Sequence, residues 1–248
     1  MAKIVTIHSF RGGTGKSNTT ANVAALLAAE GRRVAVIDTD IQSPGIHAIF
    51  GVEQDGIGRF LNDYLWGNCR MAEAALDVTP SPDGGSLWLV PSSIKAGDIA
   101  RVMREGYDVS LLNEGCRELI RELGLDALIL DTHPGLNEET LLSLAMSNAV
   151  AIVLRPDQQD YEGTRVTVAV ARKLKVPRMV LIVNKTPAVF DADEVKERVE
   201  RIYDCEVAAV LPHSDELMVL SSGAIFAIRH PEHNLTGLYR QVAARLDA

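Results

Sequence analysis

The sequence predicts an α/β fold, a mostly parallel twisted sheet with helices on both faces. Three observations carry this reading. Short runs rich in Val, Ile and Leu alternate with longer helical stretches along the chain, as βαβ units do. Several of those runs, Ala149–Leu154 for example, are apolar throughout, as strands are when helices cover both sheet faces. A Gly-rich turn also joins the first strand to the first helix. The chain has 248 residues, a length that α/β sheets commonly fill as a single unit. We therefore expect one domain over 1–248.

The elements follow in order. Lys3–Ser9 reads as the first strand, Lys16–Glu30 as an Ala-rich helix and Arg33–Asp38 as the second strand. Residues 51–86 cluster Gly, Pro and Asn and read as an irregular insertion on the same domain. Ser86–Pro91 is the next strand, and Asp98–Leu123 is expected to be one long helix. The strands Ala127–Asp131, Ala149–Leu154, Arg178–Asn184 and Glu206–Leu211 then alternate with helices over Glu138–Met146, Gln158–Leu174, Ala192–Tyr203 and Thr236–Leu246. The helix after Asp191 carries a capping pair, Asp191 with Glu194, and turns Val195, Val199 and Ile202 inward. No internal repeat or low-complexity tract interrupts the pattern.

Composition narrows the function. Hydrophobic residues make up 47% and charged residues 23%, with a mean hydropathy of +0.06. These values exclude a disordered chain, and the apolar runs Ala24–Ala29 and Ala149–Leu154 fall far short of the ~20 residues of a membrane span. A net charge of −8 argues against a dedicated nucleic-acid binder, though not against a local basic patch. The first residues run straight into a Val/Ile-rich segment, so no secretory signal is expected. Three widely spaced cysteines, Cys69, Cys116 and Cys205, suit a reducing cytoplasm better than a disulfide framework.

Phe10-Arg11-Gly12-Gly13-Thr14-Gly15-Lys16-Ser17 lies between a strand and a helix, the context of a phosphate loop. Glycines let backbone amides curl round an anion, and the helix N-terminus adds its positive dipole end. Lys16 would bridge the β- and γ-phosphates, and the Ser17 hydroxyl would ligate Mg²⁺. A P-loop NTPase is the fold class this implies. Phe10 holds the place of the usual first glycine.

That variant resembles the deviant Walker A box of the ParA/MinD family of ATPases, Lys-Gly-Gly-x-Gly-Lys-Ser/Thr. Further family features follow in order over nearly the whole chain. Ile37-Asp38-Thr39-Asp40-Ile41-Gln42 resembles switch I, and Leu128-Ile129-Leu130-Asp131-Thr132-His133-Pro134-Gly135 resembles the Walker B strand with switch II. Leu211-Pro212-His213-Ser214 resembles the adenine-flanking turn. The resemblance implies a slow Mg²⁺-dependent ATPase that forms an ATP-sandwich homodimer. Gly12, Gly13, Thr14, Gly15, Lys16, Ser17 and Asn18 would then bind nucleotide. Asp40 would orient the attacking water, Asp38 would help organise Mg²⁺ and switch I, and Asp131 would hold a Mg²⁺-bound water. Asp38 and Asp40 share one side of a strand end by the two-residue repeat. Asn184 would contact adenine, with the backbone at Leu211 and Pro212 flanking the ring. Pro187 stands where a guanine-reading motif needs an aspartate, so ATP is favoured over GTP.

Arg11 replaces the family's signature lysine, and arginine is not a neutral exchange there. Three readings are open: a finger acting on the partner's nucleotide, a stabiliser of the dimer, or a residue packed on the surface. The second is preferred. The surface that such a switch would hold is read from charge. Arg165, Arg172 and Lys175 are expected on one helical face opposite Val166, Val170 and Leu174, with Arg198, Arg201 and Arg229 as further candidates for non-specific DNA contact. Leu238, Val242 and Leu246 align on the terminal helix, which lacks a polybasic face. It is expected to pack on the sheet and not to anchor a membrane. A nucleoid-associated positioning ATPase follows, with a cargo adaptor that stimulates hydrolysis. A MinD-like membrane-associated regulator and an ATP-dependent biosynthetic enzyme are the alternatives. Iron–sulfur relatives of the fold are disfavoured, because no CxxC is present.

Overall fold

The computed structural model describes residues 2–81, 83–220 and 222–247. Strands β1 (Lys3–His8), β2 (Arg33–Asp38), β3 (Leu76–Asp77), β4 (Ser86–Val90), β5 (Ala127–Asp131), β6 (Ala149–Leu154), β7 (Arg178–Thr186) and β8 (Val207–Pro212) form one sheet. Their order is β3-β4-β2-β5-β1-β6-β7-β8. All neighbours pair in parallel except β3 with β4. Alternate residues of each strand feed opposite faces. Val5, Ile7, Val36, Ile129 and Val153 face one core layer, whereas Leu128 and Leu130, or Ile152 and Leu154, face the other side.

Helices α1 (Lys16–Ala29), α2 (Ile46–Ile49), α10 (Phe226–Arg229) and α11 (Asn234–Asp247) cover the first face. Small side chains explain the central place of α1: Ala21, Ala24 and Ala25 are wholly buried and let α11 and the sheet approach from both sides. Gly31 (φ +88°) turns the chain into β2. As expected, α11 packs inward, with Tyr239, Val242 and Leu246 buried. The opposite face is shared. Helices α3 (Leu61–Leu65), α4 (Ala96–Glu105) and α5 (Ser110–Leu123) cover the β2–β5 half, and α6 (Glu138–Met146), α7 (Gln158–Lys173) and α8 (Ala192–Tyr203) cover β6 to β8. A single turn, α9 (Asp215–Val219), follows β8.

Two expectations change. The single helix over Asp98–Leu123 is two, α4 and α5, because Gly106 (φ +64°) ends the first. Asp108 starts the second, its carboxylate accepting from Ser110 N at 2.9 Å. Val102, Leu112, Cys116 and Leu119 are all buried at helical spacing, which masked the break. The irregular stretch 51–86 is also part of the core. Leu61, Leu65, Met71 and Ala74 are buried beneath α5, in short turns too brief to show a period.

Gly115 is where α5 meets this stretch. A Cβ added there would lie 2.7 Å from the Tyr64 ring and collide with the Met71 methyl. Tyr64 cannot retreat freely, since its hydroxyl donates to Leu111 O at 2.9 Å. Gly115→Ala should therefore cost about 1–3 kcal/mol by overpacking, read as a lower urea midpoint at unchanged slope.

Candidate active site

Strand register creates the centre of the site. Asp131 ends β5 directly beside Asp38 of β2 and Ile7 of β1, on strands about 4.8 Å apart. Both aspartates are 1% exposed. Buried carboxylates need compensation, and the first turns of α1 supply it to Asp131. Its Oδ1 accepts from Lys16 Nζ at 3.0 Å and Thr20 Oγ1 at 2.8 Å, and its Oδ2 accepts from Ser17 Oγ at 2.7 Å. Asp38 fares differently. Its Oδ1 accepts from Asp40 N at 3.0 Å, while Oδ2 is buried with no hydrogen-bond partner. Burial first, then the neighbouring Asp131, pushes the Asp38 carboxyl well above the usual range.

The loop before α1 is bent by glycine. Gly13 and Gly15 have φ of +77° and +94°, and a Cβ on Gly15 would collide with the Asn184 side chain. Asn184 supports the loop from behind: its Nδ2 donates to Thr14 O at 2.7 Å and its Oδ1 accepts from Lys185 N at 2.8 Å. Lys185, itself at φ +56°, donates from Nζ to Gly13 O at 2.8 Å. At the loop's start the Phe10 ring rests on Gly163 of α7, where no Cβ would fit. Arg11 reaches the same helix, 3.3 Å from Asp160 and 3.7 Å from Asp157. Asp160 is 2% exposed and also accepts from Arg155 Nε at 3.1 Å.

A cavity of about 330 Å³ opens over the loop, lined by Gly12 to Asn18 together with Asp40, Pro134 and Lys185. Its floor offers backbone amides, a helix N-terminus and an ammonium group, which together suit a polyphosphate. The orphaned Asp38 oxygen, Asp131 and the Ser17 hydroxyl are hard oxygen donors close to that floor. They fit a divalent cation that takes one or two carboxylates and completes its shell from phosphate and water. Among the described residues no three His, Cys, Asp or Glu side chains gather to hold a metal alone. Asp40 sits at the rim, its Oδ1 accepting from Ser43 N at 3.1 Å and from His133 Nδ1 at 2.6 Å.

The sequence-predicted residues divide accordingly. Gly12 to Asn18 and Asp40 line the cavity, and Asp38 and Asp131 lie beneath it. Asn184, Leu211 and Pro212 do not line it. The buried amide of Asn184 is engaged by the backbone of Thr14 and Lys185. Arg11 is tied to α7 in its own chain. The expected basic face also fails to assemble. Val166 is 48% exposed, and α7 buries Thr164, Thr167, Val168 and Ala171 instead. Lys175 lies beyond the helix at φ +57°. Arg172 donates to Tyr203 O and Asp204 O at 2.6 and 2.8 Å, closing the end of α8. The Arg198 guanidinium lies over the Tyr161 ring, and Arg229 is on α10, across the sheet from Arg165 and Arg201. Sequence reasoning missed Thr20, Lys185 and Asp160. Only Thr20 left a signal, one helical turn beyond Lys16.

The AAA-domain family profile matches residues 2–178. An uncharacterized ATP-binding protein of Methanocaldococcus jannaschii is 26% identical over 99% of this chain and 88% of its own length. The iron–sulfur cluster carrier protein of Escherichia coli is 25% identical over 99% of this chain and 66% of its length. The septum site-determining protein MinD of Bacillus subtilis is 23% identical over 99% and 89%. Among solved structures, MinD of Pyrococcus horikoshii complexed with Mg-ADP superposes with a TM-score of 0.80 at 20% identity, over 100% of this chain and 99% of that one.

One buried base makes the site measurable by acid. His8 Nδ1 is 2.8 Å from Thr132 Oγ1, and burial, with Lys16 nearby, lowers its pKa to about 3. Below pH 6.5 the unfolded chain takes up a proton that the folded chain refuses until about pH 3. Acid therefore costs stability across that window, by up to about 1.4 kcal/mol per pH unit. His8→Asn should lose that part of the slope between pH 6.5 and 5 in urea titrations. Equal slopes would show that His8 titrates normally in the fold.

Proposed function

The chain belongs to the AAA-domain family as a ParA/MinD-type P-loop ATPase domain, and from that premise we propose that it hydrolyses ATP slowly and dimerises on it. The observation that carries the reading is the convergence of Lys16, Ser17 and Thr20 on Asp131 beneath a glycine-bent loop. An ATP-binding relative and a Mg-ADP-bound neighbour support the same ligand.

In this reading the amides of Gly12 to Gly15 and the start of α1 hold the phosphates, with Asn18 beside them. Lys16 exchanges Asp131 for the β- and γ-phosphates. Ser17, with Asp38 and Asp131 directly or through water, would hold Mg²⁺, which would supply charge neutralisation at the phosphates. Asp40 orients the attacking water from the rim. Asn184 keeps the loop in shape, and the backbone at Leu211 and Pro212 flanks the base. Arg11 leaves Asp160 when two copies close over nucleotide, and there it stabilises the dimer.

The nucleotide state governs attachment to a surface. No described helix is long and apolar enough to cross a membrane, and the apolar face of α11 is buried on its own fold. We therefore favour non-specific DNA over a lipid surface. Exposed Arg165 and Arg201 would contribute, with Arg172, Lys175, Arg198 and Arg229 secondary. At net −8 such binding is weak per chain and gains from dimerisation. A cytoplasmic, nucleoid-associated protein that positions a cargo through an adaptor follows. An iron–sulfur carrier role gains no support from the cysteines, because Cys116 is wholly buried in the core, where it cannot bridge two chains.

ATP turnover and retention on random DNA, measured for wild type and variants, test this. Lys16→Ala should lose ATP affinity by at least about 100-fold, as a buried charge-assisted contact implies. Asp40→Ala should keep affinity, lose turnover by about 100-fold or more, and stay on DNA with ATP. Retention should fall steeply with salt. DNA binding that ignores nucleotide and salt would refute the surface assignment, and unchanged turnover in Asp40→Ala would refute the catalytic one.

A further inference from the structure

Asp40 has two carboxylate oxygens in unlike settings. Oδ1 receives both donors, Ser43 N at 3.1 Å and His133 Nδ1 at 2.6 Å, and Oδ2 accepts nothing from a described residue. A carboxylate oxygen accepts, so the contact calls for a proton on His133 Nδ1. At 2.6 Å the contact is short. It joins the segment that leaves β2 to the segment that leaves β5.

The histidine is itself held. Just before it, Thr132 Oγ1 donates to Ile7 O at 3.2 Å. Just after it, Gly135 N donates to Ser9 O at 3.1 Å with φ at +87°. Thr140 Oγ1 reaches the carbonyl of His133 at 3.5 Å. On the other side, Thr39 N and Oγ1 both donate to Asp131 O, at 2.9 and 3.0 Å. The two backbone segments, already joined by Thr39 and Asp131, thus meet again at the cavity rim through the His133–Asp40 contact.

We propose that His133 is a positioning residue: by holding Oδ1 it turns Oδ2 of Asp40 toward the cavity, where the water that attacks the γ-phosphate must sit. This rests on the ATPase reading above. The ring is not among the side chains that line the cavity. It fixes the rotation of the carboxylate, so its loss slows the chemical step and leaves ATP binding as it was. Geometry of this kind is costly to lose, because a small misplacement of a catalytic group lowers the rate without weakening the ground state.

The test compares wild type, His133→Ala, His133→Asn, His133→Gln, Asp40→Ala and the double variant His133→Ala/Asp40→Ala. Turnover, KM for ATP and thermal midpoint are measured on each full chain. His133→Ala should lose about 10- to 100-fold in kcat with KM within about twofold. Asn places an N–H where Nδ1 stands and should return kcat to within about threefold of wild type. Gln places its donor where Nε2 stands and should rescue poorly. The double variant should be no slower than Asp40→Ala alone, since the two act as one unit. A purely structural histidine would instead shift midpoint and KM together.

The outcomes separate the two readings. If wild type hydrolyses no ATP, or Asp40→Ala is as fast as wild type, the catalytic reading falls and this inference falls with it. If Asp40→Ala is slow while His133→Ala keeps wild-type kcat, or Gln restores as much as Asn, the inference alone is overturned.

Discussion

A buried negative charge with three donors from one helix start organises this molecule. Asp131 is forced into the interior by the register of β5 between β1 and β2. An uncompensated carboxylate there would cost several kcal/mol. Lys16, Ser17 and Thr20 compensate it, and in doing so fix where α1 begins. The loop before α1 must then bridge a set distance from β1, which brings its amides round to face one point. Asp38, left beside Asp131 without equivalent donors, keeps one buried oxygen unpartnered and its carboxyl held well above the usual range. A divalent cation would satisfy that oxygen, which makes the unpartnered carboxylate and the phosphate-shaped loop two sides of one constraint.

The loop is braced from two further directions. Asn184 and Lys185 hold it from β7, and Phe10 and Arg11 hold it from α7. Asp160 is shared by Arg11 and Arg155, so the half-buried arginine of the loop is matched by a nearly buried acid. Removing either partner of such a pair leaves the other charge uncovered.

Much of the fold was legible because buried strands cannot hide. Apolar runs such as Ala149–Leu154 and Ala127–Asp131 emerged within a residue or two of their observed limits. The phosphate loop was legible for the same reason, since only glycine tolerates its backbone at Gly13 and Gly15. What stayed hidden depends on contacts distant in sequence. The break at Gly106 was covered by continuing helical spacing, and the burial of Leu61 and Met71 rests on α5, fifty residues or so onward. That Asn184 braces the loop was hidden as well, because only the fold brings Thr14 and Gly15 against its side chain. The basic residues of α7 failed as a face because Arg172 turns to cap α8, which spacing alone does not reveal.

The strand order has a consequence for how the molecule comes into being. β1 is made first but sits in the middle of the sheet, and its two neighbours are β5 and β6. Lys16 meets its acceptor 115 residues later. A nascent chain leaving the ribosome thus exposes the loop and α1 long before Asp131 exists to receive them. Non-local pairing of this kind is slow and leaves apolar segments uncovered meanwhile. The carboxylate that receives Lys16, Ser17 and Thr20 is in place only once β5 has paired between β1 and β2.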